Sequence, residues 1–109
     1  MVKTYNKLVR DKIPEIIEKS GNKCVIATLT DEEYAKKLNE KLLEECNEYL
    51  KDENVEELAD ILEVLYALAK NKGVSLEELD EIRQNKKDKR GAFNDKILLK
   101  SVEEVWKRF

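Results

Sequence analysis

The chain has 109 residues, 41% of them apolar and 41% charged, with a formal net charge of -3. That length fits one domain with one modest core, and the balanced charge supplies no global field to draw the protein onto nucleic acid or an anionic membrane. Histidine is absent, which removes Ser-His triads, His-ligated zinc and Glu-x-x-His di-iron bundles together and leaves a residue set suited to a hard cation and a phosphate-bearing partner.

Few glycines, one proline and many Leu, Glu and Lys predict an all-α fold with at most a short β element. No stretch approaches the roughly 20 apolar residues that span a bilayer, and the start MVKTYNKLVRDK lacks the apolar segment of a signal peptide. The expected location is therefore the cytoplasm, away from membranes. Cys24 and Cys46 have neither C-x-x-C spacing nor histidine near them and read as ordinary thiols.

Residues 1–10 read as extended or irregular and end in a charged cluster, Lys7, Arg10, Asp11 and Lys12. A short helix follows, with Pro14 in its first turn, Ile13, Ile16 and Ile17 on one face, and Gly21-Asn22 to stop it. The run CVIATL (24–29) is β-leaning and suits the edge of a small sheet or hairpin. Thr30 with Glu33 forms a capping box, and Tyr34, Ala35, Leu38, Leu42, Cys46 and Tyr49 recur at helical spacing to about Leu50. After the polar turn KDEN (51–54), a second long helix runs from about Val55 to Asn71, closed by Gly73, so the two helices form an antiparallel hairpin.

That second helix carries only Asp60 and Glu63 as charges within LADILEVLYALA (58–69) and needs burial nearly all round. So short a chain offers it few partners, which predicts a helical bundle completed by dimerisation. Ser75 with Glu78 predicts a helix ending near Arg83, and NKKDKR (85–90) reads as an exposed basic loop before Gly91-Ala92-Phe93. The tail carries the apolar run Ile97 to Leu99 and an amphipathic end with Val102, Val105, Trp106 and Phe109, whose aromatics read as packing anchors. Tyr49 and Tyr66 read as core residues.

Glu45 and Glu48 stand three apart on the first long helix, and Glu57 and Asp60 three apart on the second, so each pair shares a helical face. Both Glu45/Asp60 and Glu48/Glu57 are equidistant from the Asp52/Glu53 junction, which places them level across an antiparallel hairpin. Carboxylates so gathered repel by several kcal/mol per pair at about 4 Å and intermediate dielectric, and a divalent cation resolves that conflict. The alternative is a solvated acidic surface, since 24 acids in this chain produce such spacings by chance. Against it stand the matched register and the cost of an unpaired Asp60 in the most apolar helix.

The string KLLEECNE (41–48), followed by ELAD (57–60), resembles the EExxE…ExxD signature of the MazG-like all-α NTP pyrophosphohydrolases, a superfamily that includes phosphoribosyl-ATP pyrophosphohydrolase and dimeric dUTPase. The segments YNKLVRDKIPEII (5–17) and KRGAFNDKILL (89–99) resemble a compact single-domain branch with house-cleaning roles. The resemblance implies that Glu45, Glu48, Glu57 and Asp60 bind Mg2+, for which Mn2+ can substitute. It implies cleavage of a nucleoside triphosphate between the α and β phosphates, with Glu44, Glu45 and Glu48 as the catalytic carboxylates and Glu44 supporting the cluster or handling the attacking water. Only eight residues separate Glu48 from Glu57, fewer than in MazG itself, which leaves less room for a base-recognition loop.

Charge developing on phosphate oxygens calls for Lys or Arg, and the candidates are Lys7, Arg10, Lys12, Lys89 and Arg90, with Lys41 a weaker one. Phe93 either stacks on a nucleobase or tucks into the core. Two non-enzymatic readings stand beside this one: a helical interaction module whose carboxylates are surface decoration, and a nucleotide-binding regulator built on the two basic clusters.

Overall fold

A computed structural model of the chain describes residues 1–104; Val105, Trp106 and Phe109 lie outside the described residues. Within them the regular structure is helical: α1 (Ile13–Lys19), α2 (Asp31–Asp52), α3 (Val55–Asn71) and α4 (Leu76–Arg90), with no strand. The chain divides into two units, Met1–Leu76 and Glu77–Phe109. None of these helices is long and apolar enough to cross a membrane.

The helix ends follow from local chemistry. In α2, Thr30 accepts from the Glu33 N–H at 3.2 Å while the Glu33 carboxylate accepts from the Thr30 N–H at 3.0 Å, a complete capping box. Removing one half of it by Thr30→Ala is expected to cost about 1 kcal/mol and to lower the melting temperature by roughly 4 °C in a thermal melt. At the other end of the hairpin, α3 stops at Gly73, whose φ of +79° favours a residue without Cβ. There the Val74 N–H donates to the Ala69 carbonyl at 2.9 Å and the Gly73 N–H to the Lys70 carbonyl at 3.0 Å.

Between α2 and α3 only Glu53 and Asn54 are non-helical: Glu53 takes a left-handed φ of 51°, and the Asn54 side chain accepts from the Glu56 N–H at 2.8 Å to cap α3. So tight a turn forces α2 and α3 into an antiparallel hairpin, the packing that organises the first unit. The predicted α2 face lies inward: Leu38 is buried, and Tyr34, Ala35, Leu42, Cys46 and Tyr49 are half-buried. From α3, Val64 and Ala69 are buried, with Ile61, Tyr66 and Leu68 half-buried.

Two expectations need correction. The β-leaning run 24–29 forms no strand: Val25 and Ile26 are exposed, and a single extended segment finds no partner for its backbone groups. The basic stretch 85–90 is not a loop but the last part of α4, which continues past Arg83 to Arg90. Lys, Arg and Gln are good helix formers, Gln84 donates to Asp88 at 2.9 Å one turn on, and Gly91 with φ +82° ends the helix. Within the single chain α3 is not enclosed all round: Leu58, Leu62 and Leu65 stay exposed, as the scarcity of partners in so short a chain predicts.

Candidate metal centre

The hairpin brings the acidic residues together in the expected register. Glu45 of α2 and Glu57 and Asp60 of α3 each offer a carboxylate oxygen within 4.8 Å of the other two, and Glu48, Asp52 and Glu57 form a second such group. Glu57 is common to both. The four residues expected as one set therefore form two overlapping groups, with Glu45/Asp60 toward the interior and Glu48/Asp52 toward solvent. Asp52 went unrecognised in the sequence because KDEN reads as turn. The structure extends α2 to Asp52, one turn after Glu48 on the same face, and its i, i+4 spacing from Glu48 was the available signal.

Burial and charge differ across the cluster. The Glu45 side chain is 12% exposed and that of Asp60 40%. Burial, together with the negative charges of Asp60, Glu45, Glu48 and Asp52, raises the Glu57 carboxyl above the ordinary carboxylate range. Glu44 behaves oppositely: burial alone would raise it, but the ammonium groups of Lys7 at 2.9 Å and Lys41 at 3.3 Å prevail and hold it below that range. The Glu44 hydrogen bond in turn raises the Lys7 ammonium.

The cations predicted for phosphate have separate destinations. Arg10 Nη2 lies 2.7 Å from Asp60 Oδ1 and Lys7 Nζ 2.9 Å from Glu44 Oε1. Lys41 bridges Glu44 and, at 3.2 Å, Glu45. Lys12 is exposed and makes no ion pair among the described residues. A shallow pocket of 160 Å³ beside the cluster is lined by Lys7, Lys37, Lys41 and Glu44, among others. Lys89, Arg90 and Phe93 belong to the second unit, the first two in the last turn of α4. Phe93 is 98% exposed, so its ring is in no core. Cys24 and Cys46 are free thiols.

The donor set is all oxygen and all carboxylate, which suits a hard divalent cation. Oxygens at neighbouring octahedral positions around one Mg2+ at about 2.1 Å lie about 3 Å apart, closer than the 4.8 Å that bounds the Glu45/Glu57/Asp60 group, so these side chains would draw together around an ion.

No protein-family model and no solved structure matches the chain. An uncharacterized protein of Mycolicibacterium smegmatis is 55% identical over 42 residues, which is 38% of this chain and 43% of that relative. The match thus spans less than half the length of the relative.

Proposed function

We propose that the chain is a Mg2+-dependent nucleoside triphosphate pyrophosphohydrolase, converting an NTP and water into a nucleoside monophosphate and pyrophosphate, in a house-cleaning role in the cytoplasm. The observation that carries this reading is the convergence of Glu45, Glu57 and Asp60 from two helices to within 4.8 Å. Acids so crowded persist at neutral pH at a cost that a cation removes.

In this reading Glu45, Glu57 and Asp60 hold the cation, and Glu48 and Asp52 line its solvent side. Magnesium, when bound, supplies Lewis acidity toward phosphoryl oxygens and toward the attacking water. Glu44, fixed by Lys7 and Lys41 and with a lowered proton affinity, is a poor base and serves to order the cluster. Glu48 is exposed and without an ion pair among the described residues, which suits it to take the proton released by water. Lys12, exposed and similarly uncommitted, could meet a phosphate without first breaking an ion pair. Self-association belongs to the same reading, because the exposed leucines of α3 are the surface a second copy would cover.

The test is pyrophosphate release from a panel of NTPs and dNTPs with Mg2+, with Mn2+ and without metal, using Glu48→Gln as control. The expected result is release from at least one nucleotide that requires the cation and is lost in Glu48→Gln. Absence of release from every nucleotide with either cation overturns the enzyme reading. It would favour a non-catalytic helical interaction module, the second reading that the exposed leucines of α3 support.

A further inference from the structure

Arg10 sits in the sequence among candidate phosphate ligands, yet its guanidinium is engaged within the chain. Nη2 donates to Asp60 Oδ1 at 2.7 Å across 50 residues of sequence. Its main chain is also held, because the Arg10 carbonyl accepts from the Ile13 N–H at 3.1 Å at the entry to α1, where Pro14 restricts the backbone. Three residues earlier, Lys7 meets Glu44 at 2.9 Å. One short segment therefore delivers two cations to carboxylates on two different helices, α2 and α3.

An exposed ion pair of this kind adds little to stability: the side chains of Arg10 and Asp60 are 54% and 40% exposed. Its consequence lies in where it holds Asp60. Like charges on Glu45, Glu57 and Asp60 push the three carboxylates apart, and Asp60, its side chain 40% exposed against 12% for Glu45, is free to swing toward water unless restrained. Carboxylates that ligate metals are themselves held by hydrogen bonds from outside the ligand set, and those partners tune affinity.

We propose that Arg10 is a positioning residue for the metal centre, binding one oxygen of Asp60 so that this carboxylate stays aimed at the site formed with Glu45 and Glu57. The inference rests on the metal-dependent reading above and changes the role of Arg10 from substrate contact to support of a ligand.

The test is Mn2+ binding to the nucleotide-free protein, followed through the signal of the free ion, for the wild type, Arg10→Gln and Arg10→Lys, together with metal-free thermal melts. Arg10→Gln is expected to weaken Mn2+ binding about 10–100-fold, Arg10→Lys to restore part of the loss, and the metal-free melts to coincide. Unchanged Mn2+ affinity in Arg10→Gln, with a raised KM for nucleotide, makes Arg10 a phosphate contact and overturns the proposal. Tighter Mn2+ binding makes Arg10 a competitor of the ion and overturns it as well. A wild-type protein that binds no Mn2+ sinks the metal reading and this inference together, whereas equal binding by wild type and Arg10→Gln defeats the role of Arg10 alone.

Discussion

Glu57→Gln is expected to melt at a higher temperature than the wild type in the absence of divalent cations, yet to gain nothing from Mg2+ and to release pyrophosphate far more slowly. Glu57 is the member shared by both carboxylate groups, and its carboxyl is raised by burial and by four acidic neighbours. A neutral amide of nearly the same shape relieves that repulsion and removes a ligand in one step. For the wild type, Mg2+ at about 100 times its dissociation constant should raise the melting temperature by roughly 10 °C, and the variant should show no such rise. Turnover should fall by on the order of 10²–10³-fold, as when other single groups that stabilise developing charge are removed. Melts with and without Mg2+, run beside the pyrophosphate assay, read all three. A variant that retains the Mg2+ shift places the ion elsewhere.

The same residue sets the sign of the pH dependence. Because Glu57 titrates higher in the folded than in the unfolded chain, its charged form opposes folding. That opposition is complete above its folded pKa and disappears as pH falls toward the ordinary value of 4.5. Glu44 and Glu33 titrate lower when folded, so the stability they contribute is present above 4.5 and is lost as pH falls below it. Metal-free protein should therefore become more stable on mild acidification toward 4.5 and less stable beyond it. Glu57→Gln should keep the second limb and lose the first.

What could be read from the sequence was what short-range chemistry decides. Thr30 and Glu33 announce the start of α2, Gly73 the end of α3, and the polar break between them the reversal of the chain. With both helices and the turn in hand, the level of Glu45 with Asp60 and Glu48 with Glu57 follows from counting. Reading failed where local preference and context disagree. The β-branched run 24–29 has the composition of a strand and no neighbour to pair with, while the charges of 85–90 suggest a loop although the residues are good helix formers. The destinations of Arg10 and Lys7 were beyond reach for another reason: they are set by ion pairs spanning 50 and 37 residues, which no periodicity encodes.

Leu62→Glu is expected to convert a dimer into a monomer. Fully or nearly fully buried apolar side chains among the described residues are few, Leu38, Val64 and Ala69, whereas Leu58 and Leu62 are 45% exposed and Leu65 38%. Leu43 and Leu50 of α2, 64% and 71% exposed, stand level with Leu62 and Val55 in the register that aligns the carboxylates. At about 100° per residue, these positions fall on the side of each helix away from Glu45, Glu48, Glu57 and Asp60. The hairpin thus has an acidic side and an apolar side, and a second copy laid on the apolar side would bury leucines without obstructing the carboxylates. Sedimentation of the wild type should give twice the chain mass of 12.8 kDa. A charge placed at the centre of that contact, once in each copy, costs several kcal/mol unless it is paired and should weaken association at least about 100-fold. Because Leu62 is half in water in the single chain, the α2–α3 hairpin should keep its helical circular dichroism in the variant, and Mn2+ affinity should be retained. A wild type that sediments at the mass of one chain at tens of micromolar would leave the apolar side for another partner, while loss of both dimer and metal binding in Leu62→Glu would mean that the two sides of the hairpin are coupled through the packing of Val64 and Leu38.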